Sequence, residues 1–369
     1  MKIESISIQN FKLFENFQLS FKNRTLDEVS NRFLILGDNG TGKTSLLQAI
    51  ALPLALATRS GHIQSISDFD WTGFVPSRFW KRGTPRIELE VSFRDEEIEA
   101  TREVASRWYE SLPYEIRTKR PFAEPAHKNL VRVILNGDHW IVGDDTPEEQ
   151  AMFQGRYYVH KLLRTDPSVR SQFSRLPGIF WFDQFRNLGS NPYSEGNGER
   201  KEHRDRVSFE AGVARLRQFL IDWRLKKAPD RIYDKDFLKE LEMLYRKLFP
   251  GRSFRGVEHL PSLDSPTDAE YYFLLDDGKY EYDIAEMSAG EQSVFPILYQ
   301  IIRRQIACSV VLIDEIDLNL HPPSAQSLVS QLFRMAPHCQ YIITTHSEPV
   351  SNAIGNDDTF RLEGGALCL

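Results

Sequence analysis

An eight-residue loop near the start of the chain limits the available folds more than any other stretch. The apolar run FLIL (33–36) ends at the sequence GDNGTGKT (37–44), and a helix-compatible segment follows directly. The loop matches the pattern G-x-x-x-x-G-K-[ST] at every fixed position. A glycine-rich turn that binds nothing is the alternative, but the order of strand, loop and helix is the context in which this pattern binds phosphate. The sequence therefore predicts a phosphate-binding loop.

Each position of this loop has a physical role. Glycine lets backbone N–H groups face a phosphate without a Cβ in the way, and the helix that follows directs its positive end at the same anion. Lys43 can reach the β- and γ-phosphates, and the Thr44 hydroxyl can bind Mg²⁺. The predicted nucleotide contacts of this segment are Gly37, Asp38, Asn39, Gly40, Thr41, Gly42, Lys43, Thr44 and Ser45.

The composition is that of an ordinary globular protein. With 369 residues, of which 41% are hydrophobic and 27% charged, the chain is long enough for one large domain or two moderate ones. A net charge of −6 argues against a protein that coats nucleic acid. The three cysteines have neither metal-ligand nor disulfide spacing, and no apolar run is long enough to span a bilayer. These features predict a cytoplasmic protein without a membrane partner.

Two β-rich segments, 3–11 and 14–21, precede the phosphate loop and meet near Lys12. Lys12 either turns toward a nucleotide or remains a solvated lysine in a hairpin turn. Further along, a short apolar strand (178–182) is followed by Gln184.

The middle of the chain is predicted to be an insertion. Asn136-Gly137 between two apolar runs is a strong hairpin signal, and charged helical stretches lie nearby. We therefore divide the chain into an N-terminal lobe (1–60), an inserted β-hairpin and helical region (61–265) and a C-terminal lobe (266–369). Five basic residues of the insertion form either a solvated surface or a patch for nucleic acid or an acidic partner: Arg117, Lys119, Arg120, Lys128 and Arg132.

Near the end of the insertion, the spacing of Leu238, Leu241, Tyr245 and Leu248 predicts a helix with one buried face. A hairpin around residues 276–278 then leads into MSAGEQS (287–293) and another helical run. A Ser-x-Gly-Glu turn at a helix start offers a hydroxyl and N–H groups to an anion, although alone it indicates only a capped helix. The residues of interest in that turn are Ser288, Gly290 and Glu291.

Two carboxylates end a buried strand shortly afterwards. The run SVVLIDE (309–315) places Asp314 and Glu315 at the carboxyl end of this strand. In a chain with a phosphate loop this is the place for Mg²⁺ and a water-activating base, with Asp314 on the metal and Glu315 on the water. Two surface acids at a strand end are the alternative. A last β run reaches His346, which either contacts the γ-phosphate, the reading that we favour, or caps the next helix.

The order GDNGTGKT, MSAGEQ, VVLIDEIDLNLHP and TTHS resembles the ATP-binding-cassette type ATPases of the SMC/RecF/OLD group. The segment DLNLHP (317–322) is most similar to OLD-like AAA ATPases, which are often found in bacterial defence systems. The resemblance covers residues 1–55 and 271–364. It implies an α/β fold: a P-loop ABC-ATPase head, with a mixed sheet flanked by helices, an antiparallel β-subdomain and an inserted α+β or helical region.

The resemblance also implies a composite site for ATP and Mg²⁺ in a head-to-tail dimer or higher oligomer. Lys43, Thr44, Asp314 and Glu315 of one subunit would face Ser288, Gly290 and Glu291 of the other. Asp317 would form the loop that crosses the dimer, and His346 would be the switch histidine. Lys12 matches a basic residue that approaches the nucleotide in such proteins. Gln184 is the candidate for the metal-sensing glutamine.

Three functional hypotheses follow. The first is a nucleotide-switched ATPase that controls a partner effector in anti-phage defence, as Septu-type ATPases suggest. The second is a RecF-like DNA-repair ATPase, although the acidic balance and the LHP segment weigh against it. The third is a binding scaffold with a slow ATPase. The segment MSAGEQ, at the position of the ABC signature, differs from the LSGGQ signature of transporters. The chain is expected to end too soon after His346 for a TOPRIM nuclease domain, so a nuclease effector would be a separate polypeptide.

Overall fold

The computed structural model describes the chain except for residues 60–64, 70–73, 79–82, 120, 185–208, 226–235, 260–270, 337 and 364–369. Its strands are β1 (Lys2–Phe11), β2 (Phe14–Ser20), β3 (Arg32–Leu36), β4 (Arg86–Ser92), β5 (Leu130–Asn136), β6 (His139–Val142), β7 (Ile179–Phe182), β8 (Ser253–His259), β9 (Tyr271–Asp276), β10 (Glu281–Asp283), β11 (Val310–Ile313), β12 (Gln340–Thr345) and β13 (Thr359–Arg361). Its helices are α1 (Lys43–Ala57), α2 (Asp95–Glu110), α3 (Tyr114–Arg117), α4 (Pro147–Met152), α5 (Gly155–Leu162), α6 (Phe209–Leu225), α7 (Phe237–Leu248), α8 (Ala289–Arg303), α9 (Pro322–Met335) and α10 (Glu348–Ile354).

The chain divides into two compact units. The first contains residues 1–182, 305–316 and 336–369, and the second contains residues 183–304 and 317–335. None of the described helices is long and apolar enough to cross a membrane.

A parallel sheet of five strands, in the order β13-β3-β12-β11-β7, organises the first unit. β11 and β12 are buried along their whole length, and β3 is buried after its first residue. Such continuous apolar strands are typical of parallel sheets that are covered on both faces. Because all five strands run in the same direction, the segments that follow β3, β11 and β12 emerge at one edge of the sheet. The phosphate loop, Asp314 and His346 lie on those segments.

An antiparallel sheet in the order β2-β1-β4-β5-β6 forms the other layer of the first unit. The predicted hairpin at Asn136-Gly137 is confirmed, with Val133 opposite Val142. α1 contacts strands of both sheets, so it is buried nearly all round rather than along one stripe. Its apolar residues join those of the two sheets in a single core.

The predicted division at residues 60 and 265 does not coincide with these units. β4 pairs with β1 along its length, with Leu89 opposite Ile6, and β7 pairs with β11. Strands from the region 61–265 therefore complete both sheets of the first unit. Alternating hydrophobicity indicates which face of a strand is buried, but it does not identify the neighbouring strand, so the sequence did not predict these pairings.

The second unit contains helices α6 to α9 and a small antiparallel sheet in the order β10-β9-β8. The predicted hairpin around residues 276–278 is confirmed as β9 and β10. The predicted stripe on α7 is confirmed too, because all four of its residues are buried: Leu238, Leu241, Tyr245 and Leu248.

Candidate nucleotide-binding site and signature helix

The phosphate loop connects β3 directly to α1 and depends on its glycines. Gly40 and Gly42 have φ angles of 85° and 104°, in the left-handed region that favours glycine. A Cβ at Gly37 would lie 2.8 Å from the backbone oxygen of Leu362, and a Cβ at Gly42 would lie 3.1 Å from the Phe14 ring. The predicted glycines are therefore required by backbone conformation and by close packing.

The ammonium group of Lys43 binds backbone carbonyl groups of the phosphate loop itself. Its Nζ atom donates hydrogen bonds to the carbonyl oxygens of Gly37 at 2.7 Å and Asp38 at 2.9 Å. The Lys43 side chain is buried. Carbonyl oxygens satisfy its hydrogen-bond donors without neutralising its charge, so this arrangement favours the arrival of an anion such as a phosphate.

Thr44 connects the phosphate loop to the end of β11. Its hydroxyl donates a hydrogen bond of 2.7 Å to Oδ2 of Asp314, whose side chain is fully buried. A hydroxyl and a carboxylate are oxygen ligands of the kind that Mg²⁺ prefers, so this pair fits the predicted metal role. The structure thus brings together two residues that are 270 positions apart in the sequence.

Glu315 follows Asp314 in an unusual backbone conformation. Its φ angle is 45°, which costs on the order of 1 kcal/mol for a residue with a Cβ. Its N–H donates to the Thr344 hydroxyl at 2.8 Å, and that hydroxyl donates to Oδ1 of Asp314 at 2.6 Å. Sequence reading missed Thr344, although a polar residue inside the buried run QYIITT was a signal. Strained residues that are held by their surroundings cluster at active sites.

His346 is exposed and follows β12 immediately. Near this point the N–H of Gly37 donates to the Thr345 carbonyl at 3.3 Å, which joins the phosphate loop to the end of the strand. The residue at the N-cap of α10 is Ser347, so the alternative that His346 caps this helix is not supported. Contact of His346 with the γ-phosphate stays a prediction.

Lys12 lies at the turn between β1 and β2 with a φ angle of 52°. Its Nζ atom donates a hydrogen bond to the Gln48 side chain on α1 and lies 5.7 Å from the centre of the Phe74 ring. Burial lowers the pKa of Lys12 to about 8. Lys12 is therefore packed against the helix that begins at the phosphate loop and is not a solvated turn residue. Its contact with nucleotide stays a prediction, and Gln48 was not anticipated.

The remaining candidates in the middle of the chain receive less support. Gln184 is half-buried and lies two residues after β7, so its metal-sensing role stays a prediction. In the predicted basic cluster, Lys128 pairs with Asp144 and Glu149. Arg132 lies within 3.6 Å of Glu88 and Glu90, and Arg120 lies outside the described residues. These acidic partners reduce the positive charge that a nucleic acid would meet.

In the second unit, the predicted signature turn forms the start of α8. Ser288 is the N-cap, and Ser288 and Glu291 form a capping box. The N–H and hydroxyl of Ser288 donate to Oε2 of Glu291 at 2.9 and 2.6 Å. A Cβ at Gly290 would lie 3.2 Å from the Asn319 carbonyl oxygen, in the segment that begins with Asp317. The helix start is therefore a fixed turn with an exposed serine.

Glu291 faces the interior of the second unit. Its buried carboxylate accepts hydrogen bonds from the hydroxyls of Tyr245 and Tyr282, the latter at 2.7 Å. Burial alone would raise the pKa of Glu291, but the hydrogen bonds from Ser288, Tyr245 and Tyr282 outweigh it and lower this pKa. Burial raises the pKa of Tyr282 to about 12. The Glu291 side chain holds the helix start in place, and its contact with nucleotide stays a prediction.

Comparison with protein families identifies the group to which these motifs belong. The family model described as "AAA domain, putative AbiEii toxin, Type IV TA system" matches residues 33–351. The chain belongs to this family. It is an AAA-domain ATPase, and the predicted α/β P-loop fold is confirmed.

Individual relatives match nearly the whole chain. The "Retron Vc95 probable ATPase" of Vibrio cholerae serotype O1 biovar El Tor is 33% identical, over 97% of this chain and 72% of that protein. The "Retron Ec83 probable ATPase" of Escherichia coli is 22% identical, over 99% and 72%. The "Septu protein PtuA" of Bacillus mycoides is 22% identical, over 94% of this chain but 38% of that protein. A solved Smc head domain with an extended coiled coil, bound to a ScpA domain derived from Pyrococcus furiosus, is 13% identical with a TM-score of 0.47, over 95% of this chain and 91% of that one.

Proposed function

We propose that this protein is an ATP-hydrolysing switch of a bacterial anti-phage defence system. The observation that carries the proposal is the hydrogen bond between Thr44 and Asp314, which joins the phosphate loop to the strand-end carboxylates. The candidate phosphate-binding residue Lys43, the candidate metal ligands Thr44 and Asp314, and the candidate base Glu315 therefore lie on adjoining segments of one unit.

The chemistry assigned to these residues is hydrolysis of the bond between the β- and γ-phosphates. Lys43 and the loop N–H groups bind the phosphates. Thr44 and Asp314 would hold Mg²⁺, which would supply neutralisation of part of the phosphate charge when bound. Glu315 orients a water and accepts its proton as the water oxygen attacks the γ-phosphorus. The bond to the bridging oxygen breaks, and ADP and phosphate leave. His346 stabilises the γ-phosphate from the end of β12.

The switch that we propose is a head-to-tail dimer. Ser288 and the N-terminus of α8 would meet the γ-phosphate held by the second copy, because a fixed helix start with an exposed hydroxyl is a ready anion site. Binding of ATP closes the dimer, and hydrolysis opens it.

A separate effector protein, such as a nuclease, would respond to this opening and closing. Relatives that are named for retron and Septu systems support a place in such a multi-component system. The acidic partners of Lys128 and Arg132 make nucleic acid a weaker candidate partner than protein.

The hydrolytic role is tested with Glu315→Gln. The amide keeps the size of the side chain but cannot accept the proton, so kcat should fall by about 100-fold or more while ATP binding persists. Phosphate release and calorimetric ATP binding measure the two effects. Lys43→Ala is the matched control, which should lose ATP binding as well. An unchanged hydrolysis rate in Glu315→Gln would refute the assignment of the base.

A further inference from the structure

Thr344 is a buried hydroxyl at the carboxyl end of β12, and the known motifs of the site do not include it. Its side chain has no exposed surface, and every other residue of its strand is buried too. A buried hydroxyl in such a strand must find hydrogen-bond partners. In this protein, the Thr344 hydroxyl binds Asp314 and Glu315, the two carboxylate residues of the site.

The two hydrogen bonds of this hydroxyl have different consequences. As a donor it binds Oδ1 of Asp314 at 2.6 Å, which orients the carboxylate so that Oδ2 meets the Thr44 hydroxyl at 2.7 Å. As an acceptor it receives the N–H of Glu315 at 2.8 Å. The Thr344 side chain thus fixes both the rotation of the Asp314 carboxylate and the backbone of Glu315.

The backbone of Thr344 holds the same segment from the other side of Glu315. Its carbonyl accepts the N–H of Ile316 at 3.1 Å. The N–H groups of Glu315 and of Ile316 thus both donate to Thr344. Glu315, between these two hydrogen bonds, has a left-handed φ angle of 45°. This conformation determines the direction in which the Glu315 side chain leaves the backbone, and a residue with a Cβ adopts it only where its surroundings require it.

We infer that Thr344 is a positioning residue for ATP hydrolysis: its hydroxyl holds Glu315 in the conformation that directs the base at water, and holds Asp314 in register with Thr44. The inference rests on the proposed function, because it assigns Thr344 to the same hydrolytic site. Thr344 acts through Glu315 and Asp314 and does not itself contact the nucleotide. Since His346 directly follows the last residue of β12, the same strand end would support the base and lead to the candidate switch histidine.

The test is Thr344→Val, which has nearly the same shape but lacks the hydroxyl, together with Thr344→Ser, which keeps it. We expect kcat of the valine variant to fall by about tenfold or more, and kcat of the serine variant to stay within about threefold of wild type. The affinity for ATP, measured by calorimetry, should stay within about threefold in both variants, because Lys43 and the loop are untouched.

Thr101→Val is the matched control. Thr101 is also a buried threonine in the first unit, and its hydroxyl donates a hydrogen bond of 2.8 Å to the Glu97 carbonyl of its own helix. Its variant should show a comparable loss of thermal stability but a wild-type kcat. If Thr344→Val hydrolyses ATP at the wild-type rate, or if serine fails to restore the rate, the inference is wrong. If valine prevents folding, Thr344→Ala removes the same hydroxyl without an added methyl, and a wild-type kcat in that variant overturns the inference equally.

Failure of this inference is distinguishable from failure of the proposed function. If Glu315→Gln is inactive while Thr344→Val is fully active, the hydrolytic site stands and Thr344 has no positioning role. If Glu315→Gln itself hydrolyses ATP at the wild-type rate, the assignment of the base fails, and the role given to Thr344 fails with it.

Discussion

At the scale of single residues, Lys12 is a candidate site residue whose charge changes near pH 8. Its ammonium group is packed against Gln48 on α1, and burial lowers its pKa to about 8. A lysine with a lowered pKa loses its charge as the pH rises through that value. If Lys12 approaches the phosphates, its contribution to ATP binding is present below about pH 8 and lost above it.

We therefore expect the ATP dissociation constant of the wild type to increase by about tenfold between about pH 7 and about pH 9, the loss of one charge-assisted hydrogen bond. Lys12→Met keeps much of the apolar stem but has no charge to lose. The ATP dissociation constant of this variant should therefore be larger than that of the wild type at neutral pH and nearly constant over this range. Calorimetry at several pH values measures both. Parallel curves for the two proteins would exclude Lys12 from the nucleotide site.

Residues of the site were predicted from sequence where a local pattern required them. Gly37, Gly42 and Lys43 follow from the loop pattern, and the structure shows the close packing and left-handed backbone that explain the glycines. Thr344 and Gln48 were missed because their roles depend on a partner that is distant in sequence, as the hydrogen bonds to Asp314 and Lys12 show. The direction of the Glu291 side chain was not predictable for the same reason.

At the scale of elements, the start of α8 depends on Glu291. Its carboxylate accepts hydrogen bonds from Ser288, Tyr245 and Tyr282, which come from three different segments of the second unit. The capping box could be read from Ser288 and Glu291, which are three residues apart. The hydrogen bonds from Tyr245 and Tyr282 could not be predicted from the sequence, because the apolar spacing along α7 indicated only that Tyr245 is buried.

Glu291→Ala should destabilise the protein by about 3 kcal/mol or more, because it leaves several buried donors without an acceptor. Urea unfolding measures this loss. Glu286→Ala is a matched control: Glu286 closes a second capping box, but it is exposed, so its loss should cost about 1 kcal/mol. Equal losses in the two variants would contradict the role given to the buried network.

The loss of stability caused by Glu291→Ala should depend on pH, and its direction follows from the pKa of Glu291. The hydrogen bonds lower the pKa of Glu291 below that of an unfolded glutamate, near about 4.3. Its contribution to stability is therefore present above about pH 4.3 and lost as the pH falls through the folded value. The difference in free energy of unfolding between the wild type and Glu291→Ala should therefore become smaller in acid.

At the scale of the whole molecule, the fold class was predictable and the assignment of segments was not. The motifs indicated a P-loop ATPase because each one marks a strand end or a helix start. The pairing of β4 with β1 and of β7 with β11 joins distant segments, and no short pattern encodes such pairs. The region 61–265 was consequently predicted as an insertion, whereas its strands β4 to β7 complete the two sheets of the first unit.

The proposed switch requires that ATP is hydrolysed between two copies of the chain. The most direct measurement is the mass of Glu315→Gln in solution by light scattering, with and without ATP and Mg²⁺. We expect a dimer with ATP, at twice the chain mass of 42.8 kDa, and a smaller species without it. Adding Ser288→Arg to the same variant should prevent the dimer while leaving ATP binding intact. If the Glu315→Gln protein binds ATP but remains a monomer at high protein concentration, the composite site between two copies is wrong.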